Sequence, residues 1–254
     1  MPFSFDVADA LLVSGIFLLG GLVKGIAGFG LPAISLGLLA LTRPLPEALP
    51  LILLPTIATN VWQALAGGAL RPALRRLWGF LLAAALGTLT AAGMLSRADA
   101  ALLTGLLGLV LVLSSAVALF APRWPVPSPA KERLLSPVMG GLSGILAGLT
   151  GSFLVPAAPW LAALRLPPDL FVQGLGLGAV VATACLSAAM AGQGLLPPGL
   201  GLASGAVLMP AFLGMALGRR LRRGMPEARF RRVAQIFLLV LGSYLAARSF
   251  AAGA

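Results

Sequence analysis

The 254-residue sequence contains no histidine and a single cysteine, Cys185. Histidine-ligated haem, thiolate clusters, Cys-His and Ser-His-Asp centres and intramolecular disulfides are thereby excluded. Carboxylates are scarce too. The seven are Asp6, Asp9, Glu47, Asp99, Glu132, Asp169 and Glu227, and they do not cluster along the chain. Acid–base or metal chemistry would have to come from these, so no enzyme, cofactor or metal is expected. Charged residues make up 10% of the chain, where a typical soluble domain has about 25%. Polar cover for a soluble globule is missing. What is present is apolar: 59% of residues, several in stretches that reach the roughly 20 residues needed to span a bilayer as a helix. The expected class is an all-α polytopic membrane protein, surrounded by lipid bilayer and without a soluble domain of ordinary size.

The net charge of +11 does not point to nucleic acid. Most arginines lie in short connections between apolar stretches, where they set orientation. The first nine residues carry Asp6 and Asp9 and neither Lys nor Arg. The positive n-region of a signal peptide is missing, so the first apolar stretch is expected to stay in the mature protein.

Eight apolar blocks divide the chain: Ala10–Leu41, Leu49–Gly68, Leu77–Leu95, Ala100–Phe120, Leu134–Leu164, Leu170–Ala191, Leu200–Leu217 and Val233–Ala251. Six read as single spans. The first and fifth are longer, and each is interrupted by glycine and proline. The first holds Gly25-Ile-Ala-Gly28-Phe29-Gly30-Leu-Pro32 and the fifth Gly148-Leu-Thr-Gly151-Ser152-Phe-Leu-Val-Pro156. Gly25, Gly28 and Pro32 align with Gly148, Gly151 and Pro156 if one residue is inserted. At a nearly constant offset, Pro46-Glu47 matches Pro168-Asp169, Gly67 matches Gly192, and Leu86-Gly87 matches Leu213-Gly214. The chain is an internal duplication: residues 1–120 form a first membrane repeat, 121–133 a Pro-rich, charged linker, and 134–254 a second repeat.

Equivalent connections carry opposite charge. After the second block come Arg71, Arg75 and Arg76, whereas residues 192–199 after the sixth carry none. After the third block come Arg97 and Asp99. After the seventh come Arg219, Arg220, Arg222, Arg223, Arg229, Arg231 and Arg232. Under the positive-inside rule the two repeats are inverted in the membrane. With the arginine-rich connections and the linker (Arg123, Lys131, Arg133) inside, the count closes only if blocks one and five each return to the side they entered. The expectation is two glycine-broken half-helix hairpins entering from opposite faces, each followed by three spanning helices, with both termini outside. Ala10–Ala27, being long enough to span alone, is the point at which this count can fail.

The hairpin tips are the first candidate site. Irregular backbone at membrane depth is tolerated only inside protein or beside a watery cavity. Glycines such as Gly28, Gly30 and Gly151 free N–H groups at the partly positive start of a half-helix, which makes an anion site. The alternative is that GxxG only lets helices pack closely; repetition in both halves, each time followed by proline, favours the site. Lys24 precedes Gly25 inside an apolar block. Such a cation costs about 2.5–3.5 kcal/mol to insert, so it reads as a counter-ion to an anion, with snorkelling to the interface as the alternative. Asn60 and Gln63 are three apart and share a helix face, near Thr59 and Trp62; they could donate to an oxyanion or hydrogen-bond a neighbouring helix. Thr150, Ser152 and Gln173 are the counterparts in the second half, with Thr183 behind them, although hydroxyls in membrane helices commonly back-bond to their own helix. Glu47 and Asp169 could couple protons, but an acidic residue in the first turn of a helix, just after Pro46 or Pro168, is the favoured reading. Cys185 reads as a small packing residue. Trp124 and Trp160 read equally well as interfacial anchors or core.

The stretch GGLVKGIAGFGLPAISLGLLAL followed by LPLILLPTIATNVWQAL, and in the second half GLSGILAGLTGSFLVPAAPWLAAL, resemble the sulfite exporter TauE/SafE family of membrane transporters. The resemblance covers nearly the whole chain and both repeats. It implies movement of a small organosulfur anion, sulfite or a sulfonate such as sulfoacetate, across the bacterial inner membrane, usually outward. The expected function is a secondary transporter of such an anion working by alternating access. An anion channel, a carboxylate transporter and a membrane scaffold are the alternatives, and a homodimer is compatible with each. Lys24, Gly28, Phe29, Gly30, Asn60, Gln63, Thr150, Gly151, Ser152 and Gln173 are the residues expected to bind substrate, from their polarity and position.

Overall fold

A computed structural model describes residues 6–65, 68–120, 125–196, 198–222 and 227–252 of the protein. Gly67, Arg123, Trp124 and Arg223, used above, lie outside the described residues. Among the described residues the regular secondary structure is entirely helical. The first half holds α1 (Val7–Ala27), α2 (Leu31–Leu39), α3 (Leu45–Leu65), α4 (Leu70–Ala92) and α5 (Ala100–Phe120). The second holds α6 (Pro129–Thr150), α7 (Leu154–Ala163), α8 (Pro168–Gly192), α9 (Pro198–Ala206), α10 (Leu208–Leu221) and α11 (Glu227–Ala252).

Both expected breaks are present, but their arms are unequal. A long helix of 21 or 22 residues (α1, α6) comes first, and a short one of 9 or 10 (α2, α7) follows. Nothing between Val7 and Ala27 stops a helix, because its glycines are held by packing, so α1 runs about 30 Å and α2 about 13 Å. Among the described residues six segments are long and apolar enough to cross a membrane: α1, α3, α5, α8, residues 201–221 and residues 229–251. The number equals the six spans read from the sequence, but the membership differs. α1 enters, and α4 drops out because Arg71, Arg75 and Arg76 occupy its first two turns. These arginines are helical, not in a loop, and so are Arg219 and Arg220 at the end of α10 and Arg229, Arg231 and Arg232 at the start of α11. Arginine is a good helix former, and its long stem lets a helix continue past its apolar stretch. The seventh block is kinked between α9 and α10 at Val207. Pro210 lacks the N–H that would bond to Ala206, and its ring crowds that carbonyl.

The chain forms two compact units, each drawing on both halves of the sequence. The first comprises residues 1–55, 99–119 and 194–254; the second comprises 56–98 and 120–193. In the first unit α1 packs along α10. A Cβ on Gly21 would overlap the Ala211 carbonyl, one on Gly25 the Met215 carbonyl, and one on Gly214 the Leu18 carbonyl. In the second unit α6 packs along α4. There a Cβ on Gly144 would overlap the Ala84 carbonyl, one on Gly148 would crowd the Thr88 carbonyl, and one on Gly87 would overlap the Gly141 carbonyl. These are the same contacts at repeat-equivalent positions. Lipid gives no hydrophobic drive between helices, so close backbone approach through small residues supplies the packing.

Two further features hold the units together internally. In α3, Pro55 has no N–H, which leaves the Leu51 carbonyl without its helical donor. The Ser204 hydroxyl donates to that carbonyl at 3.0 Å and accepts the Leu54 N–H at 3.3 Å. In the second unit Trp160 is core: its indole N–H donates to the buried Ser136 hydroxyl at 3.1 Å.

Candidate anion-binding site

At the first break α1 closes on Gly28, whose φ of 83° is left-handed, and its N–H returns to the Lys24 carbonyl at 2.8 Å. This is a glycine C-cap: a side chain at that φ would be strained. Gly30, at φ 107°, turns the chain into α2, where Pro32 sits in the first turn. No side chain caps the start of α2, although Leu31 and Ala33 are buried. A buried, uncapped helix start presents N–H groups and a partial positive charge. Lys24 lies one turn before Gly28 and is 4% exposed, so it is inside protein and does not reach an interface as a snorkelling lysine would. Phe29 lies under the Arg231 guanidinium, whose Cζ is 5.4 Å from the ring centroid, a cation–π contact. The Ser35 hydroxyl, one turn into α2, is buried without a hydrogen-bond partner.

The second break repeats the left-handed glycine cap, but not the second left-handed glycine, and its side chains differ. α6 closes on Gly151 at φ 70°, with its N–H on the Ala147 carbonyl at 2.8 Å. The Thr150 hydroxyl donates to the Leu146 carbonyl at 2.7 Å and accepts the Ser152 N–H at 3.3 Å. That hydroxyl is thus engaged in ending its own helix. Ser152 is buried. Phe153 meets Phe80 edge-on, with centroids 6.0 Å apart, and its ring fills the space beside Gly178. No side chain caps α7, and Val155 is extended before Pro156.

The remaining polar candidates of the second unit gather where α3, α4 and α8 meet. Asn60 donates to the Thr56 carbonyl at 2.9 Å. Gln63 donates to the Val172 carbonyl at 3.1 Å, and Gly176 leaves room for both side chains' backbone to approach α8. Gln173 is 1% exposed. Its amide donates to the Ala64 carbonyl at 2.8 Å and accepts the Ala69 N–H at 2.7 Å, so it ties the end of α3 to the start of α4. Gln193 does the same at the other end of α4, donating to the Ala92 carbonyl at 2.8 Å and accepting the Ser96 N–H at 3.3 Å. Glu47 and Asp169 are exposed in the first turns of α3 and α8. Cys185 is part-buried. Among the described residues no three histidine, cysteine or carboxylate side chains come together.

Sequence reasoning missed Arg231, Ser35 and Gln193. Arg231 was counted as loop charge. Ser35 stands within the first motif, where its hydroxyl was the available signal, and Gln193 stands in the connection just after the sixth block, where it caps α8.

Helices with apolar lengths fit for a bilayer, interrupted at two buried, uncapped glycine breaks, define a multi-pass membrane protein built around broken helices. The model of the family described as Sulfite exporter TauE/SafE matches residues 13–245, and the chain belongs to that family of membrane transporters for sulfite- and sulfonate-type anions. Comparison with curated proteins and with solved structures gives no match.

Proposed function

We propose that the protein is a secondary transporter that exports a small organosulfur anion, sulfite or a sulfonate, across a bacterial inner membrane by alternating access. The observation that carries this reading is the first break: a buried lysine, Lys24, one turn from an uncapped helix start, in a chain of this family. The lysine supplies the charge and the free N–H groups of α2 supply direction. In the second unit Ser152 and Asn60 offer neutral donors, while Gln173 and the Thr150 hydroxyl serve the backbone. Glu47 and Asp169 are given the helix-dipole role rather than proton coupling. The opposed arginine bias supports inverted repeats with the Arg219–Arg232 segment in the cytoplasm; labelling of cysteines placed at residues 224–228 from outside intact cells, in a Cys185-free background, would overturn that orientation.

The test is a thermal-shift panel on purified protein with sulfite, sulfoacetate, taurine, thiosulfate and plain carboxylates. A ligand that binds the native state raises the melting temperature. A shift confined to sulfite or sulfonates, followed by uptake of the same anion into proteoliposomes, supports the reading. Shifts with carboxylates alone, or none with any anion, reject it.

A further inference from the structure

The start of α11 carries Arg229, Arg231 and Arg232 within its first six residues. A helix N-terminus is already partly positive, so cations are unfavourable there and acidic residues are the usual choice. Setting membrane orientation does not require this placement, since arginines beyond the helix would serve equally. The three arginines line a cavity of about 470 Å³ in the first unit, together with Ala118 and Leu119 from the end of α5 and Gln235. Gln235 lies four residues after Arg231 and three after Arg232, on the same face of α11. It is 8% exposed, and its Oε1 has no hydrogen-bond partner. A buried amide oxygen without a donor is costly, and a bound group that donates to it would remove that cost. Among the described side chains no carboxylate pairs with Arg229 or Arg232.

We infer that this cavity, which borders the glycine break where Arg231 stacks on Phe29, is a second oxyanion-binding site, for a phosphate-class group held by the arginines and carrying a hydroxyl that donates to Gln235 Oε1. Guanidinium groups bind such oxyanions through paired N–H donors. Gln235 Oε1 is an acceptor, so it meets the hydroxyl of a protonated phosphate or of a glycerol headgroup, while the guanidinium groups take the anionic oxygens. The site stands whether or not Lys24 binds the transported ion. Its ligand can be a water-borne anion or the headgroup of an anionic lipid, since both carry the same chemistry.

The full chain in phosphatidylcholine nanodiscs, with Lys24→Met to separate this site from the break, is titrated calorimetrically with inorganic phosphate, and with methanesulfonate, which has no hydroxyl for Gln235 and should bind more weakly, as the comparison. In parallel, native mass spectrometry compares retention of phosphatidylglycerol and phosphatidylcholine. Saturable binding in the first arm marks a water-borne ligand; selective retention of phosphatidylglycerol in the second marks a lipid headgroup. In whichever arm responds, the double variant Arg229→Gln/Arg232→Gln should weaken binding about 10- to 100-fold, and the corresponding double lysine variant should restore part of it. Gln235→Leu, which leaves all three arginines in place, should weaken it several-fold and decides the matter if the double variant does not fold. Binding in neither arm, or binding that Gln235→Leu and the double variant leave unchanged, overturns the inference.

Discussion

At the first break a 21-residue helix stops on left-handed Gly28 and a 9-residue helix follows; at the second a 22-residue helix stops on left-handed Gly151 and a 10-residue helix follows. The long helices dock through the same glycines, Gly21 and Gly25 on α10, Gly144 and Gly148 on α4. The side chains diverge. Lys24 stands before Gly25 where Ala147 stands before Gly148, and Phe29 follows Gly28 where Ser152 follows Gly151. The left-handed glycine cap and the docking glycines recur at both breaks, and the side chains around them differ. One break is cationic and the other offers neutral hydroxyl and backbone groups.

The sharpest way to break this comparison is to fill the frame. Gly25→Leu and Gly148→Leu each drive a side chain into a neighbouring backbone, and each should cost about 3 kcal/mol or more, seen as loss of monodisperse, folded protein. Gly15→Ala, where a Cβ meets nothing within 4 Å, is the control and should be neutral or slightly stabilising. Tolerance at one of the two docking glycines alone would mean that the interfaces are not equivalent. A smaller loss is expected at Gln173, which ties α3 to α4. Gln173→Leu strands the Ala64 carbonyl and the Ala69 N–H and should cost about 1–3 kcal/mol in melting experiments, with anion affinity of the folded fraction unchanged. A selective loss of affinity would make Gln173 a ligand instead. Smaller again are Gly28→Ala and Gly151→Ala, at about 1–2 kcal/mol each from the left-handed φ. At Gly28 a Cβ meets open space, so the cost is conformational and not steric. Both variants should reduce transport more than expression, and unequal effects would show that one break alone is used.

The glycine breaks, the helical class and the family were legible because they rest on local signals: Gly and Pro within long apolar runs, repeated in order. The unequal arms were less so. Ala10–Ala27 was legible as long enough to span, and Gly28 ends α1 as a left-handed cap, but hydropathy does not report that α1 docks on α10, a partner far away in sequence. The same reason hid the exchange of elements between units. Arg229, Arg231 and Arg232 looked like loop charge because a helix extends past its apolar stretch without changing composition. Gln173 looked like a ligand because a buried amide in a membrane helix has the same sequence signature whether it faces substrate or two backbone groups. Trp160 could be placed only once Ser136 was seen beside its indole N–H.

Lys24 distinguishes the two breaks more than any other residue, so its charge is the most direct thing to remove. Lys24→Met keeps the stem and deletes the ammonium. A charge-assisted hydrogen bond contributes about 1.5–3 kcal/mol, which is about a 10- to 100-fold change in affinity. Calorimetric titration of wild type and Lys24→Met with sulfoacetate in neutral detergent should show that loss, with Lys24→Arg intermediate and the melting temperature of the ligand-free variants preserved. Equal affinities in wild type and Lys24→Met would contradict a cationic first break and leave the anion to neutral donors.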